Sequence, residues 1–391
     1  MTKGWRFEGN ELKYIREVLD NGFRAGVDGA MTERVEALFA EKFNLPFAVA
    51  FNSGTSTLHA ALAAFKIGPG DEVIIPNLSP IMCGIAPVFC GAIPVYADVG
   101  WDDFLMDPDD VRSKITKNTK AIMPVHLYGQ VCDMEAIMAL AEEFDLMVLE
   151  DCAQCYLGLD AKGRVGGTIG DVGSWSYEAS KHLVAGEGGM IACQSETLAE
   201  DIRKFGGIGF ANLTARSGKV RIDRDKFQNP DWQRHDRVGF NYRMSELTGA
   251  VALAQTERMH ELVELRIAAG RGYRDLLANS ELLKSQYLPV GAVNSCFTFA
   301  ARFDGIDLGI PWDEFRLAFI SNGGDGIYAA WQLISDEPAL ADDGIGWGET
   351  IIAKKLQRRI MQFTSNQCDS VEREVQYDAL LKTLRQFGDK I

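Results

Sequence analysis

The stretch FAVAFNSGTSTLHAALAAFKI, residues 47–67, contains the change of pattern that decides the fold of this chain. It begins with an almost continuous apolar run, which is typical of a strand buried on both faces of a sheet. After the polar turn NSGT, residues 52–55, apolar residues recur at three- and four-residue intervals, as they do in a helix. The stretch therefore predicts a strand, a turn and a helix of an α/β core.

The same alternation continues along the chain. Further strand-like runs are DEVIIP, IPVYADV, TKAIMPVHLYG, LMVLEDC and GMIACQ, and several of the segments between them have helical patterns. Nearly all-apolar strands that are separated by helices indicate a mostly parallel sheet with helices on both faces. The amphipathic helical patterns GNELKYIREVLDNGF and TERVEALFAEKFN precede this region.

A smaller domain is predicted at the carboxyl-terminal end. A long helical pattern that starts at Met244 leads into it. Its pieces are the strand-like run CFTFAARF and the helical patterns PWDEFRLAFISNG and VEREVQYDALLKTLRQF. We expect residues 1–255 to form a large α/β domain and residues 256–391 to form a smaller α+β domain.

The composition restricts the classes of function. The chain has 391 residues and a formal net charge of −15, and since an acidic chain repels nucleic-acid phosphates, we expect no nucleic-acid partner. No apolar run has membrane-spanning length and no apolar leader opens the sequence, so we expect a cytoplasmic protein without a membrane partner. The cysteines, including Cys152 and Cys155, lie in apolar contexts, which favours reduced, buried thiols over disulfides or a metal site.

Lys181 and Asp151 are the first candidates for chemistry. The stretch SWSYEASKHLVAGEGGMIA, residues 174–192, puts Lys181 between an apolar run and a glycine-rich turn. Asp151 ends a predicted strand at its carboxyl end, where open α/β sheets bind their ligands. A buried carboxylate there needs a positive partner, such as a protonated ring nitrogen or a cation. Taken alone, the two residues also fit a surface lysine and a helix N-cap.

The turn at Gly54 and Thr55 is a candidate phosphate site. Free backbone N–H groups at the start of a helix bind anions, and the helix dipole strengthens that binding. The same residue types cap helices in many strand-to-helix turns, so the turn alone leaves both interpretations open.

A set of motifs gives these residues a context. GTSTLHAAL, VHLYGQ, LEDCAQ, GDVGSWSYEASKHLVAGEGGM and GFNYRMSEL occur in this order. With similar separations, they resemble the motifs of the DegT/DnrJ/EryC1/StrS family, the pyridoxal-phosphate aminotransferases that act on sugar nucleotides and cyclitols. The resemblance covers roughly residues 10 to 255 well. It implies a fold-type-I, aspartate aminotransferase-like enzyme with a mostly parallel sheet in its large domain.

The resemblance also implies roles around the cofactor, pyridoxal 5′-phosphate. Lys181 matches the lysine that forms the Schiff base and moves the proton during transamination. Asp151 matches the carboxylate that keeps the pyridine nitrogen protonated, so that the ring acts as an electron sink. Gln154 matches the side chain near the phenolic oxygen of the ring. The implied phosphate ligands are Gly54, Thr55, Ser176 and Asn241, the last of them from the other subunit of a homodimer with shared active sites.

The implied reaction transfers an amine from an amino acid donor, glutamate by preference, to a keto group of a sugar nucleotide or related keto-sugar. A sister branch of the family has histidine in place of the lysine and removes a hydroxyl from the sugar. Lysine at position 181 favours transamination, although His182 follows it directly. A catalytically silent regulator on the same fold is a further alternative, but no basic patch supports it. A nicotinamide-dependent oxidoreductase lacks the G-x-G-x-x-G turn after the first core strand.

Other positions differ from the family pattern or have no role in it. Many members have an aromatic residue that stacks on the cofactor ring, whereas this chain reads PNLSPIMC, with Leu78 and Pro80 at those positions. Stacking must then come from elsewhere or be replaced by aliphatic contact. His126 matches a family position, and we expect it to be structural.

The polar segment from Gly207 to Val238 is too long for an ordinary connection in a compact domain. We expect a loop that contacts the acceptor, because a nucleotide diphosphate needs positive groups and the segment is rich in arginine. Its acidic residues could instead neutralise those charges within a solvated loop. The candidate substrate residues are Arg221, Arg234 and Arg237.

Overall fold

The computed structural model describes residues 4–26, 28–218 and 222–389 of the chain. Within these ranges the main sheet has seven short strands: β1 Phe47–Phe51, β2 Glu72–Pro76, β3 Ile93–Ala97, β4 Thr119–Ile122, β5 Met147–Asp151, β6 Val172–Ser176 and β7 Gly189–Cys193. Their order across the sheet is β1-β7-β6-β5-β4-β2-β3. β7 is antiparallel to both its neighbours and the other pairs are parallel. This confirms the predicted mostly parallel sheet.

Helices precede, connect and follow these strands. Those in the first part of the chain are α1 Glu11–Asp20, α2 Met31–Phe43, α3 Gly54–Ala64, α4 Met82–Phe89, α5 Pro108–Lys114, α6 Met134–Phe144, α7 Glu196–Gly206, α8 Arg224–Gln228 and α9 Glu246–Glu257, with short 3-10 turns at Gly4–Phe7 and Leu127–Gly129. The small residues of α3 let it pack closely on the sheet and on α7. Outside α8, the described part of the polar segment from residue 207 to 238 is irregular.

A second, antiparallel sheet lies toward the carboxyl terminus. Its strands are β8 Leu283–Ser285, β9 Phe299–Phe303, β10 Ile327–Ala329 and β11 Ile360–Phe363, in the order β10-β11-β9-β8. Its helices are α10 Met259–Leu276, α11 Trp312–Ser321, α12 Pro338–Ala341, α13 Ile351–Gln357 and α14 Ser370–Gln386, with 3-10 turns at Gly305–Leu308 and Ile334–Asp336. The predicted strand CFTFAARF pairs only from Phe299 onward, because the amides of Ser295 and Phe297 donate to Gly129 and Tyr128 of the main domain.

The apolar residues form two cores. The larger one surrounds the main sheet and includes Met259 and Ile267 of α10. The smaller one contains Tyr273, at the other end of the same helix, and side chains of the antiparallel sheet. Helix α10 thus contributes to both cores, and the boundary after residue 255 stays a prediction.

The topology gathers polar residues at one edge of the main sheet. Because β1, β2, β4, β5 and β6 run in the same direction, their carboxyl ends and the turns that follow lie together at that edge. Asp151 and Ser176 are the last residues of two of these strands. No helix in the described ranges is both long enough and apolar enough to cross a membrane.

Candidate active site

Lys181 lies in the loop after β6 and is buried, with 9% of its surface exposed. Its backbone N–H donates to the carbonyl of Glu178 at 3.0 Å, and the Glu178 carboxylate accepts the Ser180 N–H at 2.9 Å. These bonds close a tight turn, so the loop presents the lysine from a defined backbone. The structure thus excludes the surface-lysine interpretation.

The surroundings of the Lys181 amine are apolar on one side and acidic on the other. Its Nζ lies 4.6 Å from the centroid of the Phe297 ring, a cation–π distance. Burial lowers the pKa of Lys181, and the carboxylates of Asp151 and Glu178 oppose that shift. An amine whose pKa is lowered has a larger neutral, nucleophilic fraction near neutral pH.

Asp151 is buried at the end of β5 and is held by neighbouring donors. Its Oδ1 accepts the N–H of Ala153 at 2.9 Å, and its Oδ2 accepts the thiol of Cys83 at 3.2 Å. Its backbone is bonded to Pro124 and His126 after β4. The carboxylate is therefore oriented by two donors. It lies close enough to Lys181 to raise the pKa of that lysine.

Gln154 has one end of its amide fixed and one end free. Its Oε1 accepts the N–H of Tyr128 at 2.9 Å. Its Nε2 is buried and has no hydrogen-bond partner among the described residues. Since a buried donor without a partner costs free energy, this amide is suited to donate to an oxygen of a bound group.

The turn between β1 and α3 faces the end of β6. A Cβ added to Gly54 would lie 2.9 Å from Cβ and 3.2 Å from Oγ of Ser176, so only glycine allows this approach. Ser53 caps the helix by accepting the Ser56 N–H at 3.1 Å. The N–H groups of Gly54 and Thr55 have no partner within the described part of the chain. Free amides beside a serine hydroxyl at a helix N-terminus form a cradle that fits a phosphate.

The other candidate residues are Asn241 and the loop arginines. The Asn241 side chain is exposed, in a segment bridged to Gly207. Arg234 lies 5.0 Å from the centroid of the Trp232 ring and donates to the Phe227 carbonyl at 3.0 Å. Arg237 forms an ion pair with Asp201 at 2.5 Å, and Arg221 lies outside the described residues. Asp201 belongs to α7 and not to the polar segment, so Arg237 ties the segment to the main domain.

The histidines next to these motifs have structural partners. His126 Nδ1 accepts the Cys132 N–H at 3.2 Å, so its Nε2 donates to Glu150 at 2.9 Å. Burial raises the pKa of Glu150, but bonds from His126 and from the amides of Gly167 and Gly170 outweigh burial, and the pKa lies below its usual value. This network fixes the strand that ends in Asp151.

His182 points away from the acidic side of the site. It is buried and its Nε2 donates to the Ser295 carbonyl at 2.9 Å. Burial lowers the pKa of this imidazole well below its ordinary value. The lysine rather than the neighbouring histidine therefore shares the site with Asp151.

The remaining sequence candidates have ordinary packing roles. Cys152 and Cys155 are buried free thiols, and burial raises the pKa of each. No cluster of metal-ligating side chains occurs in the ranges that the structure describes. Leu78 is buried in the larger core, with 3% of its surface exposed.

Sequence reasoning missed the residues that surround the lysine from distant parts of the chain. Arg6, Cys83, Arg266 and Phe297 contact or face Lys181 and Asp151. The sequence analysis gave none of them a role in the site, because only the fold brings them together.

Comparison with known proteins places this site in a family. Residues 6–305 match the model of the DegT/DnrJ/EryC1/StrS aminotransferase family. The chain is 38% identical to GDP-perosamine synthase of Caulobacter vibrioides over 276 residues, which are 70% of this chain and 68% of that protein. These matches confirm the family that the motifs resembled.

Solved structures show the same fold. The X-ray structure of an aminotransferase from Psychrobacter cryohalolentis has a TM-score of 0.86 and 25% identity, covering 96% of this chain and 97% of that one. DesV of S. venezuelae, solved in complex with a ketimine intermediate, has a TM-score of 0.83 and 26% identity, covering 96% and 94%. The predicted fold class and the aminotransferase activity are confirmed, and the comparisons do not favour the dehydratase alternative.

Proposed function

We propose that this chain, a member of the DegT/DnrJ/EryC1/StrS aminotransferase family, moves the amine of an amino acid to the keto group of a sugar nucleotide. The preferred donor is glutamate. Membership of the family makes the enzyme a pyridoxal-phosphate-dependent aminotransferase. The observation that carries this is the buried Lys181 beside the buried Asp151, at the carboxyl edge of the sheet. The relative named GDP-perosamine synthase supports a nucleotide-linked sugar as the acceptor.

The described residues fit the cofactor at each of its ends. When bound, pyridoxal phosphate supplies the electron sink that makes the Cα–H bond of the donor acidic. Asp151 would keep the ring nitrogen protonated, and the free Nε2 of Gln154 would donate to a ring oxygen. The amides of Gly54 and Thr55 and the hydroxyl of Ser176 would hold the phosphate.

Lys181 is the residue that moves the proton in this proposal. Its amine would hold the cofactor covalently in the resting enzyme, and once free its Nζ would accept the proton from the donor Cα. The lowered pKa of the lysine leaves it competent as a base near neutral pH. Burial of the site excludes water, so the proton stays with the reactants.

A homodimer with shared sites and a cytoplasmic location belong to the same proposal. The exposed apolar side chains Ile208, Val238 and Phe240 flank the exposed Asn241. Such a patch favours contact with a second copy of the chain. Asn241 would then reach the phosphate of the partner's cofactor.

The function is tested by running the reaction backward. Purified enzyme is mixed with GDP-perosamine and 2-oxoglutarate, and glutamate formation is measured. Glutamate production supports both substrate classes. No production with any nucleotide-linked amino sugar, from enzyme that still exchanges amines with glutamate, would contradict the proposed acceptor class.

Gly54→Ala is expected to weaken pyridoxal phosphate binding about tenfold, because the new methyl group would press on Ser176 at 2.9 Å and overpacking costs about 1–3 kcal/mol. Fluorescence titration with the cofactor measures the dissociation constant. The control is Gly68→Ala, since a Cβ there meets nothing within 4 Å. Equal affinities for the two variants would remove Gly54 from the phosphate site.

The loop arginines are tested by the affinity for the acceptor. If its arginines contact the diphosphate, Arg234→Ala and Arg221→Ala raise the acceptor KM about tenfold and leave the donor KM unchanged. Arg237→Ala is expected to change it less, because Asp201 already holds that charge. Arg112→Ala, which removes an exposed ion pair with Glu143, is the control. Unchanged acceptor KM values in all the loop variants would rule the contact out.

A further inference from the structure

Two buried arginines meet behind the lysine, and the mechanism above does not use them. Arg266 of α10 and Arg6 of the first 3-10 turn are 4% and 5% exposed. Arg266 donates through Nη2 to the carbonyls of Ser180 and Lys181 at 2.9 and 3.0 Å, and through Nη1 to the carbonyl of Phe297 at 2.6 Å. Arg6 donates to the carbonyl of His182 at 3.0 Å and to that of Lys181. Both guanidinium groups thus share one carbonyl.

The charges of these two groups are not paired in the usual way. Backbone carbonyls rather than carboxylates accept from both, and no ion pair of either with an acidic group is found in the described ranges. Burial lowers the pKa of Arg266 to about 9 and that of Arg6 to about 10, with Glu178 opposing the shift of Arg6. A buried cation without an anion costs stability. Packing alone therefore does not explain why these two positions hold arginine.

The N-terminal segment that carries Arg6 is itself tied to the lysine loop. Gln255 of α9 donates through Nε2 to the carbonyl of Arg6 at 2.6 Å and to Glu11 at 2.7 Å. Its Oε1 accepts the N–H of Val184 at 3.2 Å. The buried side chain of Gln255 therefore bonds both to the backbone of Arg6 and to Val184, at the far end of the lysine loop.

We propose that Arg6 and Arg266 are positioning residues for Lys181, which hold the carbonyls of residues 180–182 and so fix the backbone from which the amine reaches the reacting carbons. This rests on the proposed role of Lys181. The planar fork of arginine suits the task, because one guanidinium can bond several carbonyls in a fixed geometry.

Arg266 also acts on the lysine electrostatically. The groups that face its amine are Asp151 from β5, Glu178 from its own loop, Cys83 from α4 and Arg266 from α10, with Arg6 and the buried His182 behind the backbone. Carboxylates raise the pKa of an amine and cations lower it. Removing Arg266 therefore raises the pH at which the lysine nitrogen loses its proton.

The test replaces each arginine by methionine in the full-length enzyme. The visible absorption of the lysine-bound cofactor is titrated with pH, and Arg266→Met is expected to move the midpoint up by about one unit. Labelling of Lys181 by an amine reagent, measured by mass spectrometry after cofactor removal, should slow about tenfold at constant pH. Arg6→Met is expected to slow the attachment of added cofactor, because the carbonyls of residues 181 and 182 lose a donor. The control is Arg274→Met, since Arg274 is a partly buried arginine of the same helix that donates to Gln286.

Replacing arginine by lysine separates the effect of the positive charge from that of the hydrogen-bond geometry. It also serves where the methionine variant does not fold. Arg266→Lys keeps the positive charge but has its donors on one nitrogen instead of a planar fork, so its midpoint should stay near wild type while attachment of added cofactor slows. Midpoints, labelling rates and attachment rates equal to those of Arg274→Met in all variants would overturn the positioning role and leave the proposed function standing. A wild-type enzyme without lysine-bound cofactor would overturn both.

Discussion

Replacing Lys181 by alanine is expected to slow the reaction with glutamate by about 10³- to 10⁴-fold, since this removes both the covalent anchor and the base that moves the proton. In the wild type, glutamate should replace the yellow absorption of the lysine-bound cofactor by that of the amine form within one turnover. The rate of this change in a stopped-flow instrument measures the effect. The variant should still bind the cofactor through Ser176 and the α3 amides, but without a covalent bond.

His182→Gln is the matched control for this prediction. Glutamine keeps a donor for the Ser295 carbonyl, which His182 Nε2 contacts at 2.9 Å, and lies one residue from the lysine. It should retain the covalent attachment and react with glutamate. If the attachment survives in Lys181→Ala and is lost in His182→Gln, the assignment of the lysine is wrong.

Asp151→Asn is expected to slow the same half-reaction by about 10²- to 10⁴-fold. Asparagine has nearly the same shape and can still accept the Ala153 N–H, so the main change is the loss of the negative charge that keeps the ring nitrogen protonated. Breaking a buried ion pair costs about 3–5 kcal/mol, and each 1.36 kcal/mol is tenfold in rate. The measurement is again the rate of the absorption change with glutamate.

Asp160→Asn provides the comparison for the loss of a buried carboxylate. Asp160 is 8% exposed and holds Arg164 at 2.7 Å in the 158–165 hairpin loop. Its replacement should lower the melting temperature without changing the rate with glutamate. Equal rates for the two variants would show that Asp151 has no part in holding the ring nitrogen.

Local patterns predicted the strands of the main sheet except β6, Val172–Ser176. Strands such as β1 and β5 are apolar along their length because both faces are buried, so the alternation of apolar runs with helical patterns was visible without any contact information. The antiparallel sheet was largely missed. Strands β8 and β10 have three residues each, which is too short for a periodic pattern, and Ser295 and Phe297 bond to the main domain instead of extending β9.

The sequence by itself singled out the candidate residues that lie in local motifs: Lys181 beside its glycine turn, Asp151 at a strand end, and Gly54 at a helix start. Only the tertiary structure decided which distant groups meet them. It brought Arg6 and Arg266 to one carbonyl, and among the described residues it left Nε2 of Gln154 without a hydrogen-bond partner. The reason is physical. A local pattern sets backbone conformation and burial, whereas hydrogen-bond partners and local charge depend on which distant segments of the chain come into contact.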